Sequence, residues 1–301
     1  MISSLDPSSN QFLNGLNRIN DQMTHAQREI TTGRRLSQVS DDPDQISTLL
    51  AARAHLESAK QTISNLGRVK AEVDTAEQSL QTATQLFERA RTLAAQGDTP
   101  VQTAAARNTL SQEIGSILQQ LVGLTGTQVE GRTIFSGDHD QVAPYSIDLT
   151  QTNPVSAYQG SAATRLVQHP NGTTFSVSRT AQQIFDSADP TTNVFGILNA
   201  ARNALAANDD TAIHAAQAAF AKGGEYLSGQ LAFYGTAQNR VAEAATFGQT
   251  LQVQLESQIS GIQDADLTQA ILELNQGQTH QQAALESRAR IPRTTLFDFL
   301  R

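Results

Sequence analysis

Apolar positions near the start of the chain fall on a single seam. Between residues 9 and 33, Phe12, Leu16, Ile19, Met23, Ala26 and Ile30 are spaced 4, 3, 4, 3, 4. That heptad course keeps one stripe facing a partner helix. The positions between are mostly Asn, Gln, Arg and Thr. Gly33 stands where the helix should stop, because glycine accepts the left-handed conformation of a helix C-cap. A second helix is predicted to open with Asp42 as N-cap, Pro43 at the first helical position and Gln45 closing a capping box. Its pattern runs to about residue 96 with no internal proline. Ile63, Leu66, Val69, Val73, Ala76, Leu80, Ala83, Phe87, Ala90 and Ala94 hold a near-heptad course. Some 50 residues at 1.5 Å rise make a rod of about 75 to 80 Å. Gly97-Asp98-Thr99-Pro100 marks a bend, and a third helix is expected over about 101–129.

The helical period ends at Gly131. From there to about residue 190, Pro, Gly, Asn and β-branched residues recur. Thr164 to Val167 and Thr173 to Val177 flank His169-Pro170-Asn171-Gly172, a hairpin signal. Helices resume after Asp189-Pro190, one over about 193–207 and one from Asp209-Asp210 to a stop at Lys222-Gly223-Gly224. The stretch 225–290 carries another stripe at Ala237, Val241, Ala244, Gly248, Leu251, Leu255 and Ile262, with Gln258 in the missing seam position. A break is expected between Gly261 and Asp266. Leu267, Ile271 and Leu274 continue the apolar course to Leu285. An apolar tail, Leu296-Phe297-Asp298-Phe299-Leu300, follows Pro292.

The predicted fold class is mainly α with an inserted small β-rich domain, the long coiled-coil or helix-bundle rod being built from both termini. Residues 1–42 and 262–301 form the terminal coiled-coil segments, 43–130 and 191–261 the helical rod domain, and 131–190 the β-rich domain. The terminal seams must be buried somewhere. Either the two ends pack on each other or they pack on neighbouring subunits, the second of which makes a polymer. The candidate interface residues are Phe12, Leu16, Ile19, Met23, Ile30, Leu267, Ile271, Leu274, Leu285, Leu296, Phe297, Phe299 and Leu300.

Composition narrows the function classes. The 301 residues carry a formal net charge of −8, and the pI near 5.2 does not suit a nucleic-acid partner. No cysteine is present, which excludes disulfides and thiolate chemistry. No apolar run is long enough to span a bilayer, so no membrane partner is expected. The N-terminus lacks the charged start and apolar stretch of a cleaved signal peptide. Aromatic residues make up 5% and charged residues 17% of the chain, a composition suited to long helices packed through small and medium side chains.

Polar motifs offer little chemistry. Gly126-Thr127-Gln128-Val129-Glu130-Gly131-Arg132-Thr133 has the spacing of a phosphate loop, but Arg stands where that loop needs Lys, and no strand precedes it. It reads as a helix end followed by a turn. Asp138-His139-Asp140 could ligate a metal, yet no second ligand cluster accompanies it. Asn171-Gly172-Thr173 matches a glycosylation acceptor and is better read as a turn. Arg288, Arg290 and Arg293 suit a solvated helix end, with a contact to an acidic partner as the alternative. No catalytic residue, cofactor or metal site is predicted.

Thr31-Thr32-Gly33-Arg34-Arg35-Leu36 followed by Ser40-Asp41-Asp42-Pro43 resembles the N-terminal signature of the bacterial flagellin family. Asp44-Gln45 stand where that family usually has Ala-Gly. Gly235-Thr236-Ala237-Gln238-Asn239-Arg240 and Ser260-Gly261-Ile262-Gln263-Asp264-Ala265-Asp266-Leu267 resemble its C-terminal segments. In the middle, Gly131-Arg132-Thr133-Ile134-Phe135-Ser136-Gly137, Tyr158-Gln159-Gly160, Ile184-Phe185 and the ending Leu296 to Leu300 resemble the hook–filament junction branch of the family. The resemblance implies a non-enzymatic subunit, with the terminal helices in an inner tube and residues 131–190 facing outward. It also implies an extracellular place in the flagellum, reached by type III export without a cleaved signal peptide. The implied partners are further copies in a ring, hook-associated protein 1, flagellin and an export chaperone. A filament flagellin is the alternative. A metal- or nucleotide-dependent enzyme is the remote one.

Overall fold

The computed structural model describes residues 7–38 and 41–290, with the side chains of Pro7 and Ser8 outside that description. The chain divides into two compact units. One holds the described residues up to Ser58 together with those from Leu251; the other is Ala59–Thr250. Two helices run from one unit into the other: α2, Pro43–Gly97, and α6, Asp210–Gln263.

In the first unit, α1 (Pro7–Thr32) and α7 (Leu267–Arg290) pack against each other. Gly33 ends α1, its N–H bonding Glu29 O at 2.8 Å and its φ at +68°. At the first turn of α2 the Asp42 carboxylate accepts from Gln45 N at 3.4 Å. Half of the expected capping box is therefore present. The Gln45 side chain does not complete it, because its Oε1 accepts from Arg35 Nη2 at 3.2 Å. A charged donor outcompetes a backbone amide for that oxygen.

In the second unit the apolar stripe of α2 lies on α6, α3 (Ala104–Thr125) and α5 (Val194–Ala207). Leu66, Val73, Leu80, Phe87, Leu118, Leu198, Phe220, Tyr234 and Val241 are all buried there. The Phe87 and Phe220 rings meet at 5.1 Å, and Gln238 Nε2 reaches Asp74 Oδ1 at 3.0 Å. The residue pairs descend in opposite order, so α2 and α6 run antiparallel. Thr103 caps α3 and Asn193 caps α5.

The expected helix stop at Gly223-Gly224 does not occur, and α6 runs through it. A β-carbon on Gly223 would lie 2.7 Å from Ile197 Cδ1 and 2.8 Å from Phe87 Cζ. Glycine here lets helices approach closely, and packing overrides its weak helix propensity. The stripe of α6 also shifts after Leu255. Gln258 is exposed, Ile259 and the expected Ile262 are half-buried, and Gln263 is buried.

Residues 128–190 hold only short strands. β1 (Gln128–Val129) pairs antiparallel with β2 (Arg132–Thr133), and β3 (Leu166–Gln168) with β4 (Thr174–Ser176). The rest is turns, an isolated Ile147–Val155 bridge and the short α4 (Ala181–Phe185). Phe135, Tyr145, Val177, Ile184 and Phe185 anchor this segment in the core of the second unit.

Candidate functional site

The heptad stripe of α1 finds a partner within the chain. Ala26 is fully buried, and Phe12, Leu16, Ile19, Met23 and Ile30 are half-buried. They face α7, which runs antiparallel. Ala265 N donates to Gly33 O at 3.0 Å at one end of the pair. Gln281 Nε2 reaches Asn20 Oδ1 at 3.0 Å midway, and Arg288 Nη2 reaches Ser9 Oγ at 2.5 Å at the other end.

The side of α7 turned to α1 is not the one that hydrophobicity marks. Its less exposed positions are Ala270, Leu274, Gly277, Gln281, Ala284 and Arg288, again spaced 4, 3, 4, 3, 4. Of the four candidate residues on this helix only Leu274 belongs to that seam. Leu267, Ile271 and Leu285 are 47%, 49% and 51% exposed, with Leu272 at 49%. The signal was present in the heptad spacing, but Ala, Gly, Gln and Arg carry it. Gly277 is where Met23 lies over α7. Leu296, Phe297, Phe299 and Leu300 lie outside the described residues.

Arg288 does not sit at a solvated helix end. Its guanidinium lies 5.6 Å from the Phe12 ring centre and bonds Ser9. The delocalised cation packs on an aromatic face as well as donating hydrogen bonds.

The linker between α1 and α2 is held by backbone and charge together. Arg35 N donates to Gln263 O at 2.7 Å, and Arg35 Nη2 to Ile262 O at 3.0 Å. Arg53 pairs with Gln263 Oε1. The Asp41 carboxylate accepts from Gln38 N at 2.7 Å, Ser37 N at 2.9 Å and Ser37 Oγ at 3.1 Å. Burial works against that charge, but these donors and Arg28 outweigh it and hold the carboxyl below the ordinary aspartate range. The Arg-Arg-Leu and Asp-Asp-Pro stretches read from the sequence are therefore the fastening of this linker.

The polar motifs of the middle segment also resolve into structure. Glu130-Gly131 forms the turn between β1 and β2, so the loop-like glycine spacing is a helix end and a hairpin. Arg132 pairs with Asp140, and this contact, with help from Gln141, lowers the Asp140 carboxyl from its usual value. Thr133 N donates to Asp140 O at 2.7 Å, and the His139 ring faces Gln159 O at 3.3 Å. Asp138-His139-Asp140 thus closes the hairpin. Among the described residues no group of three or more His, Cys, Asp or Glu is placed to hold a metal ion. No described helix is long and apolar enough to cross a membrane.

Gly131 to Gly137 has a packing logic of its own. Phe135 is buried, and Gly137 has φ +64° with its Cα against Ser161 O and Ala163 O. A side chain there would strike backbone. Tyr158 Oη donates towards Phe135 O at 3.1 Å, joining the Tyr158 motif to the same knot. Burial raises the Tyr158 phenol, and it raises those of Tyr145 and Tyr234 further, so all three keep their protons and serve as donors.

Two family models match this sequence. The bacterial flagellin N-terminal helical region matches residues 2–140, and the bacterial flagellin C-terminal helical region matches residues 225–300. Solved structures with the same fold include a flagellar hook-associated protein from Vibrio parahaemolyticus, at 19% identity and a TM-score of 0.65, covering 74% of this chain and 100% of its own. Bacillus cereus FlgL gives 20% identity and a TM-score of 0.56, covering 71% of this chain and 100% of its own. The flagellar junction protein FlgL from Legionella pneumophila gives 13% and 0.55, covering 72% and 99%. At these identities the likeness is one of fold. No curated protein sequence matches the chain.

Proposed function

Because this chain belongs to the bacterial flagellin family, we propose that it is a structural subunit of the flagellum acting as adaptor at the hook–filament junction. The observation that carries this reading is the face of α7 left uncovered in the single chain. Leu267, Ile271 and Leu285 stand about half exposed on a helix whose other face is already packed on α1. Apolar side chains at heptad spacing on a second face suit burial between subunits. Fully burying a Leu or Ile contributes roughly 1.5 to 3 kcal/mol, and these side chains, about half exposed in the single chain, have about half of that still to gain between subunits.

In this reading the terminal helices enter an inner layer of the flagellum, residues 131–190 face outward, and copies form a ring. Hook-associated protein 1 lies on one side and flagellin on the other. An export chaperone holds the chain before secretion, and no catalytic step is involved. The fold shared with hook-associated and junction proteins of three bacteria supports the junction over the filament. A filament flagellin is the second reading, supported by the same terminal family matches.

Deletion of the gene in a motile source strain separates the two. A junction adaptor leaves hooks without filaments by electron microscopy and flagellin free in the medium. Loss of filaments with no leaked flagellin would mean that this chain is the filament subunit.

A further inference from the structure

The first turns of α2 and the linker before it enclose a groove of about 550 Å3, lined by Thr32, Arg34, Leu36, Ile46, Leu49, Leu50 and Arg53 among others. Leu36 and Leu49 are buried in its floor, while Leu50 stands 58% exposed at its edge. The volume is in the range of a pocket for a few large side chains. Arg53 is tied to Gln263. Arg34 is exposed, and its guanidinium has no partner among the described residues. The groove therefore asks for apolar side chains with one acidic group among them.

One segment of this same sequence has that pattern: Leu296-Phe297-Asp298-Phe299-Leu300. It cannot come from the same copy. Helix α7 starts next to the linker, where Ala265 bonds Gly33, and ends at Arg290 near Ser9, at the far end of α1. The 23 steps from Leu267 to Arg290 carry the chain about 35 Å away. Seven residues beyond Arg290, even fully extended, bring Phe297 back by only about 25 Å. We infer that the groove between the linker and the start of α2 receives the segment Leu296 to Leu300 of a second copy, with Asp298 facing Arg34. The contact is head-to-tail, and such heterologous contacts close into rings or continue as helices. It rests on the proposed assembly only in requiring that copies meet.

The chain has no native cysteine, so single cysteines report the contact without background. Purified full-length Leu50→Cys and Phe297→Cys proteins are mixed, concentrated and oxidised. The expected result is a disulfide heterodimer well above that formed by Leu50→Cys with Val101→Cys, a control site 86% exposed in the other unit. Adding Arg34→Glu to the Leu50→Cys protein should lower the yield several-fold, and adding Asp298→Arg to its partner should restore it. A yield no higher than the control would overturn the inference. So would a Leu50→Cys/Phe297→Cys double variant that closes only within one chain. Either failure leaves the deletion phenotype untouched, so the groove and the junction reading are tested separately.

Discussion

Arg107 Nε donates to Gly97 O at 2.9 Å, joining the start of α3 to the last residue of α2. The same guanidinium reaches Asn208 Oδ1 at 2.9 Å and Asp210 Oδ1 at 2.5 Å, at the turn between α5 and α6. Arg107 is 4% exposed, so one buried fork ties three chain segments at this end of the second unit. Hydrogen bonds from a charged donor contribute roughly 1.5 to 3 kcal/mol each. Arg107→Ala should lower unfolding stability by about 2 to 4 kcal/mol in urea titration. Arg107→Lys should recover little of it, because an ammonium cannot reproduce the planar fork.

The glycines of α6 should respond to alanine in opposite directions. Gly223→Ala places a methyl against buried Phe87 and Ile197. Overpacking costs about 1 to 3 kcal/mol, and it outweighs a propensity gain near 1. Gly229 and Gly235 face open space, so alanine there should stabilise by up to about 1 kcal/mol. Thermal melts of the three single variants decide this. A stabilised Gly223→Ala would show that the close approach of α2 and α6 is not limiting.

The two faces of α7 should separate stability from assembly. Leu274 lies on the covered seam and Ile271 on the exposed face. Leu274→Asp should weaken the α1–α7 pair, seen as faster amide exchange in both helices. Ile271→Asp should leave exchange unchanged yet abolish incorporation into flagella. Normal motility with Ile271→Asp would remove the proposed role of that face.

The linker should loosen in acid. The Asp41 carboxyl is held below its ordinary value in the folded chain. A depressed folded pKa contributes stability that is present above the unfolded value and is lost as pH falls through the folded one. Protection of the Ser37 and Gln38 amides should therefore persist from neutral pH down through the ordinary aspartate range and be lost only as pH falls through the lowered folded value. Asp41→Asn should show weakened protection with no such acid step. Hydrogen exchange of these two amides across that range checks both.

Much of this architecture was legible in the sequence, because it is set by spacing along single helices. The seam from Phe12 to Ile30, the buried course from Leu66 to Ala94, the stop at Gly33 and the break between Gln263 and Leu267 follow from periodicity and local backbone preference. Each of these is decided within a few residues. The tertiary structure decided what depends on a distant neighbour. Gly223 continues a helix because Phe87 and Ile197 press on it. Gln45 leaves its cap because Arg35 is near, and Arg288 leaves solvent for Phe12. On α7 the sequence alone could not divide one apolar course into two faces. Ala270, Gly277 and Gln281 are covered only because α1 lies on them, and burial belongs to the pair of helices rather than to either residue pattern.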